Sequence, residues 1–232
     1  MSQLKDIKLN TPTYKEVVPS SQKEVRIKPF KVGDEKTLLI ASESQDKDQI
    51  ISSLKRVMTN CLVGEEVENL TSYDVEYLFL KIRAKSVGEV SKIGLKCSEC
   101  ETQNEIEVDL ETVNVKNLEN RNNKIKITDE LYFEMKEPDI DVISSIEEST
   151  EGILRFICRM VSRVYYGEET IEVSPSDVSD VLGIVEQLTS EQFKDLENYI
   201  QNIPKLHKEV EYVCKHCGVE NKVLMEGLTD FF

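Results

Sequence analysis

The sequence contains no tryptophan, and aromatic residues make up 6% of its 232 positions. A groove that stacks sugars or nucleobases therefore has little material to be built from. With only two histidines, His207 and His216, there is scant means for a Ser-His-Asp arrangement, and no H-E-x-x-H occurs. The nine glycines stand singly, so no G-x-x-x-x-G-K-[ST] loop is present to cradle phosphate. Glu137, Asp139 and Asp141 crowd around Pro138, but without an apolar pocket to shift a pKa they read as a turn. No catalytic constellation emerges. The expectation is a non-enzymatic protein with no small-molecule substrate.

Positive charge is also in short supply, with 29 Lys and Arg against 44 Asp and Glu, a formal net of −15. Phosphate contacts need a cationic surface, so nucleic acid is not expected as the main partner. No apolar run approaches the roughly 18 residues of a membrane span. Met1-Ser2-Gln3-Leu4-Lys5-Asp6 lacks a hydrophobic signal region. These absences predict a soluble protein made in a reducing cytoplasm, with no membrane partner.

What the chain does have is one short pattern that occurs twice. Cys97-Ser98-Glu99-Cys100 and Cys214-Lys215-His216-Cys217 take four of the six cysteines, and an asparagine, Asn104 or Asn221, follows each pair four positions on. A C-x-x-C turn between two strands brings both sulfurs to one side, and two such turns supply four thiolates at about 2.3 Å from Zn²⁺. A closed four-sulfur site holds structure and leaves no open position for chemistry. Residues 101–213 separate the halves, whereas such modules ordinarily keep them roughly 12–20 residues apart; the gap reads as a domain inserted into a zinc ribbon. A disulfide framework belongs to small secreted chains. A redox pair belongs in a thioredoxin-like βαβ context, which neither copy has. His216 can replace a thiolate but reads as a solvent-facing neighbour. Cys61 and Cys158 lie in apolar helical patterns and read as small buried hydrophobes.

Periodicity predicts an α+β chain in four parts. Residues 1–22, with Pro12 and Pro19, look like an extended arm with no folded element. Residues 23–89 give a strand around Val25–Phe30 and helices with Asp34, Asp46 and Ser72 at their starts. The ribbon takes 90–117 and 205–232, and 118–204 form an inserted mixed, mainly helical domain. In that insert Lys124–Thr128 and Leu131–Met135 read as a hairpin, and Ile153–Val161 as a buried helix. Thr170–Val173 read as a brief strand, followed by a helix start at Ser174-Pro175 and a capping box at Thr189 and Gln192. At the C-terminus Phe231 and Phe232 either tuck into the protein's own core or dock on another chain, which makes both candidate partner-binding residues.

Several segments, in this order, carry a family resemblance. They are Val25-Arg26-Ile27-Lys28-Pro29-Phe30, Asp34-Glu35-Lys36-Thr37-Leu38-Leu39, the run from Asp74 through Leu80-Lys81-Ile82-Arg83 to Gly88, the first C-x-x-C with Val108-Asp109-Leu110, and Gly227-Leu228-Thr229-Asp230-Phe231-Phe232. Together they make the chain resemble the T4-type bacteriophage baseplate hub proteins. The resemblance implies a structural or assembly protein of a contractile phage tail, made late in infection. Its partners would be other tail and baseplate hub subunits. Its site would be the host cytoplasm during assembly and then the virion tail. Two alternatives stay open: a transient hub assembly chaperone absent from the mature virion, and a nucleic-acid-binding zinc ribbon, which the charge disfavours.

Overall fold

The computed structural model describes residues 9–119, 122–147 and 149–231. In chain order the elements begin with β1 (Tyr14–Val17), β2 (Glu24–Ile27), α1 (Val32–Ser44), α2 (Lys47–Cys61), β3 (Leu62–Val63) and α3 (Ser72–Val87). Then come β4 (Val90–Lys96), β5 (Gln103–Asp109), β6 (Asn114–Lys116), β7 (Lys124–Lys126) and β8 (Leu131–Met135). They continue with α4 (Ile140–Ser144), α5 (Thr150–Met160), β9 (Val161–Tyr166) and β10 (Glu169–Glu172). The last are α6 (Val178–Val185), α7 (Ser190–Gln201), β11 (Lys205–Val213) and β12 (Glu220–Glu226). The chain divides into two compact units. The first takes the chain up to Asn69, Asp74–Asn114 and everything from His207 on; the second takes Leu70–Tyr73 and Val115–Leu206.

The first unit is built around α3. Val75, Leu78, Leu80 and Ile82 are fully buried and do not share one face, so the helix is enclosed on most of its circumference. Two charged side chains are carried inside with it, and each is paired, as burial of charge requires. The Asp74 carboxylate accepts from the N–H and hydroxyl of Ser20 at 2.9 and 2.6 Å. Lys81 Nζ donates to the carbonyl and carboxylate of Glu111 at 2.9 and 3.0 Å. The Ser20 contact and the strand β1 correct the expectation that residues 1–22 are an extended arm with no folded element. From Tyr14 the chain is a strand, with Tyr14 opposite Ile27 and Val17 opposite Glu24. β3 then completes a three-stranded antiparallel sheet in the order β1-β2-β3. Residues 1–8 of that expectation lie outside the described residues.

Helices α1 and α2 follow the pattern read from the sequence, with one change of role. Asp46 caps α2, accepting from the N–H groups of Asp48 and Gln49 at 2.9 and 3.1 Å. Asp34 sits in the first turn of α1 and not at its cap, where it accepts the Lys31 N–H at 3.0 Å. Phe231 is fully buried within this unit, and Ser91 Oγ donates to its carbonyl oxygen at 3.3 Å. The ring is therefore part of the core and presents no surface to a partner; Phe232 lies outside the described residues.

The second unit carries an antiparallel four-stranded sheet in the order β10-β9-β8-β7. Alternation along the strands turns Phe133, Met135 and Val164 into a core with Phe156, Met160, Val181 and Leu196 from α5, α6 and α7. The opposite face carries paired polar and aromatic groups. Lys124 Nζ lies 3.7 Å from the centroid of the Tyr165 ring, and the Tyr165 hydroxyl donates to Glu134 at 2.5 Å. The capping box of α7 forms as expected, Thr189 N–H to Gln192 Oε1 at 2.9 Å and Gln192 N–H to Thr189 Oγ1 at 3.3 Å. At Ser174-Pro175 a 3-10 turn, Pro175–Asp177, precedes the regular helix α6. The strand β9 was not expected. The apolar run through Val161 suits a helix or a strand equally well, and the distinguishing signal is the β-branched and aromatic Val161-Ser162-Arg163-Val164-Tyr165-Tyr166. A turn at Gly167, φ 59°, then feeds β10.

Candidate metal centre

Each C-x-x-C pair occupies the turn of an antiparallel hairpin, β4 with β5 and β11 with β12, both in the first unit. The two turns are copies in their backbone bonding. Cys97 N–H donates to Thr102 O at 3.0 Å and Glu101 N–H to Cys97 O at 3.1 Å. In the second turn, Cys214 N–H donates to Val219 O at 2.9 Å and Gly218 N–H to Cys214 O at 3.0 Å. The residue after the second cysteine is left-handed in both, Glu101 at φ 57° and Gly218 at φ 74°. Glycine accepts that conformation freely, whereas the glutamate bears a cost of about 1 kcal/mol.

The fold brings all four predicted ligands together. Cys97, Cys100, Cys214 and Cys217 place their sulfurs within 4.8 Å of one another. Two approaches cross between hairpins, Cys97 to Cys217 and Cys100 to Cys214, each 3.6 Å apart. A disulfide needs about 2.05 Å, and all six cysteines are free. A tetrahedral ion with sulfur at about 2.3 Å sets its ligands about 3.8 Å apart, so the donor set has the spacing of a single four-coordinate metal ion. Burial is graded: Cys97 and Cys214 are buried, Cys100 partly so, and Cys217 exposed.

The electrostatics favour a cation at this position. Backbone N–H groups of Cys217 and His216 bring the Cys214 thiol down to about 6, although desolvation opposes them. The side chain and backbone of Thr102 lower Cys100, whose sulfur lies 3.3 Å from the Thr102 hydroxyl. Cys217 moves the other way. Against the Val219 N–H, which lowers it, desolvation and the sulfurs of Cys100, Cys97 and Cys214 push it up to about 12. Clustered thiolates retain a proton because their charges repel, and a bound divalent cation relieves that repulsion.

Two buried asparagines complete the arrangement, each reaching across to the other hairpin. Asn104, on β5, accepts the Lys215 N–H at 2.9 Å and places Nδ2 3.6 Å from Cys214 Sγ. Asn221, on β12, accepts the Ser98 N–H at 2.9 Å and places Nδ2 3.6 Å from Cys97 Sγ. The sequence shows both as part of the repeat but gives no hint that each serves the opposite knuckle. Tyr212 adds a further tie between the hairpins, its hydroxyl donating to Lys96 O at 2.8 Å. His216 is exposed and outside the sulfur cluster, as expected. His207 also stands apart from it, with Nδ1 buried and no hydrogen-bond partner among the described residues. Cys61 and Cys158 are buried, with thiols pushed up to about 11 chiefly by burial.

Fold and site together define an α+β protein whose four clustered cysteines can hold one metal ion. The chain belongs to the T4 bacteriophage base plate protein family, whose model matches residues 11–232. Comparison with curated proteins and with solved structures finds no match. It is thus a structural protein of the phage baseplate, and its partners are other baseplate proteins. Among the described residues, no helix is long and apolar enough to cross a membrane.

Proposed function

We propose that the chain works in the hub of the baseplate as a virion subunit, joined to neighbouring hub subunits by protein–protein contacts. A structural zinc ion at Cys97, Cys100, Cys214 and Cys217 fastens its two distant hairpins. Four sulfurs with no other donor suit zinc or iron, and the separations of 3.6 Å match one ion, not a cluster. In this reading residues 90–117 and 205–232 are the halves of one ribbon, and 118–204 are an insertion. Closing a loop of about one hundred residues costs about 4–5 kcal/mol. Zinc binding to thiolates supplies about 10–16 kcal/mol, so the ion outweighs the entropy of closure.

The observation that carries the role is the family match over residues 11–232, with the cysteine cluster inside the matched span. The net charge of −15 supports docking on basic faces of partner subunits, since complementary charge steers association. Quantitative mass spectrometry of purified tails is the test. A fixed copy number in baseplates, with one zinc per chain, is expected. Absence from tails, with presence in assembly intermediates, would make the chain a transient assembly factor. Association with isolated hub subunits should slow as salt is raised; a rate indifferent to ionic strength would rule out the electrostatic part.

A further inference from the structure

The two asparagines do more than repeat along the sequence. A backbone N–H can only donate, so the bonds from Lys215 to Asn104 and from Ser98 to Asn221 fix each side-chain oxygen. Each Nδ2 must then point the other way. There it meets a carbonyl of its own turn, Thr102 O or Val219 O at 2.9 Å, and the first cysteine sulfur of the opposite knuckle at 3.6 Å. Asn104 is 1% exposed and Asn221 6%, so water does not substitute for these bonds. An N–H aimed at a thiolate stabilises its charge and fixes the direction of the sulfur.

We infer that Asn104 and Asn221 are positioning residues for the metal, each locking the first thiolate of the opposite knuckle, so that neither half-site is complete until the hairpins have docked. This rests on the proposed zinc site and adds to it a reciprocal device. Hairpin β4–β5 lends its amide to Cys214, and hairpin β11–β12 lends its amide to Cys97. Ligation and docking are thereby one event. Among the described residues, the second cysteines have no such amide from the opposite hairpin. Cys100 has the Thr102 hydroxyl of its own turn, whereas Val219, the matching residue in the other turn, offers no hydroxyl to Cys217.

The test uses the full chain in five forms: wild type, Asn104→Ala, Asn221→Ala, Asn104→Asp and Asn221→Asp. Zinc affinity is measured by competition with a chromophoric chelator, and the cobalt-substituted proteins are examined by absorption. Alanine at either position should weaken zinc binding by about 10- to 100-fold. Aspartate keeps the shape of asparagine and its acceptor for the backbone N–H, but it turns a carboxylate oxygen toward the sulfur. Its affinity should therefore fall below that of alanine, and the sulfur-to-cobalt charge-transfer band should move to lower energy. Both substitutions also lose the bond to the carbonyl of the residue's own turn, so a residue that only holds the turn lowers affinity too but leaves the band unmoved, and an unmoved band in the aspartate forms would overturn the inference. If the alanine forms prove insoluble, the aspartate forms and the cobalt band decide the matter. A wild-type chain that takes up no metal would bring down the zinc reading first, and the role of the asparagines with it.

Discussion

Replacing Cys97 or Cys214 by serine removes a buried sulfur from a set of four whose members lie within 4.8 Å. On the proposed zinc site, both variants are expected to bind no zinc and to melt at lower temperature than wild type, which elemental analysis and calorimetry would register. Cys61→Ala leaves the metal content unchanged, because that thiol serves packing alone. Glu76 supplies a pH dependence of another kind. Burial pushes its carboxyl up from 4.5 to about 7, against the Leu228 N–H that lowers it. Below pH 4.5 folded and unfolded chains both hold the proton; between 4.5 and about 7 only the folded chain does, so stability declines as pH rises through that window. Glu76→Gln removes this decline. It should unfold with wild-type stability near pH 4 and be more stable than wild type at pH 8, by about 1–3 kcal/mol. Urea titrations at the two pH values compare them; an unchanged difference across the range would show that the group does not titrate in this window. At the residue scale the cysteines were legible because their spacing is a chemical requirement. The asparagines' role was not, since a partner on another hairpin leaves no local trace in the chain.

Among the elements, α5 contains a position where propensity and packing disagree. Glycine is about 1 kcal/mol worse than alanine inside a helix. A Cβ at Gly152, however, would stand 2.5 Å from the Glu147 carbonyl oxygen, and Ser149 Oγ accepts the Gly152 N–H at 3.0 Å. Packing wins, so Gly152→Ala is expected to destabilise the second unit by about 1–3 kcal/mol, measured by chemical unfolding; a gain in stability would reverse the argument. Helices with a clear cap, α2 at Asp46 and α7 at Thr189, were legible to within a residue or two. Strands that depend on a remote partner were not. β1 lies in a segment marked by prolines and depends on pairing with β2, and β9 continues an apolar run begun by α5. In both cases the deciding contact is remote in sequence, and local periodicity does not contain it.

The whole molecule consists of two units, each with its own buried core, and only the first contains the sulfur cluster. Treatment with a strong chelator is therefore expected to lower one heat-unfolding transition and leave the other in place. Scanning calorimetry with unit-specific tyrosine or hydrogen-exchange probes distinguishes this from a common shift of both, which would contradict it. The approach of the second cysteine turn to the first was legible from their spacing, because four sulfurs can share one ion only when the turns meet. The grouping of those two hairpins with α1, α2 and α3 in one unit was not, because it depends on the enclosure of α3. The crossed asparagines also bear on how such a chain can change over generations. A substitution at position 104 injures the thiolate at 214, and one at 221 injures that at 97, so neither turn is free to drift alone. Relatives that dispense with the ion are expected to have shed all six side chains as a set, while those that keep it retain both amides or replace them in tandem.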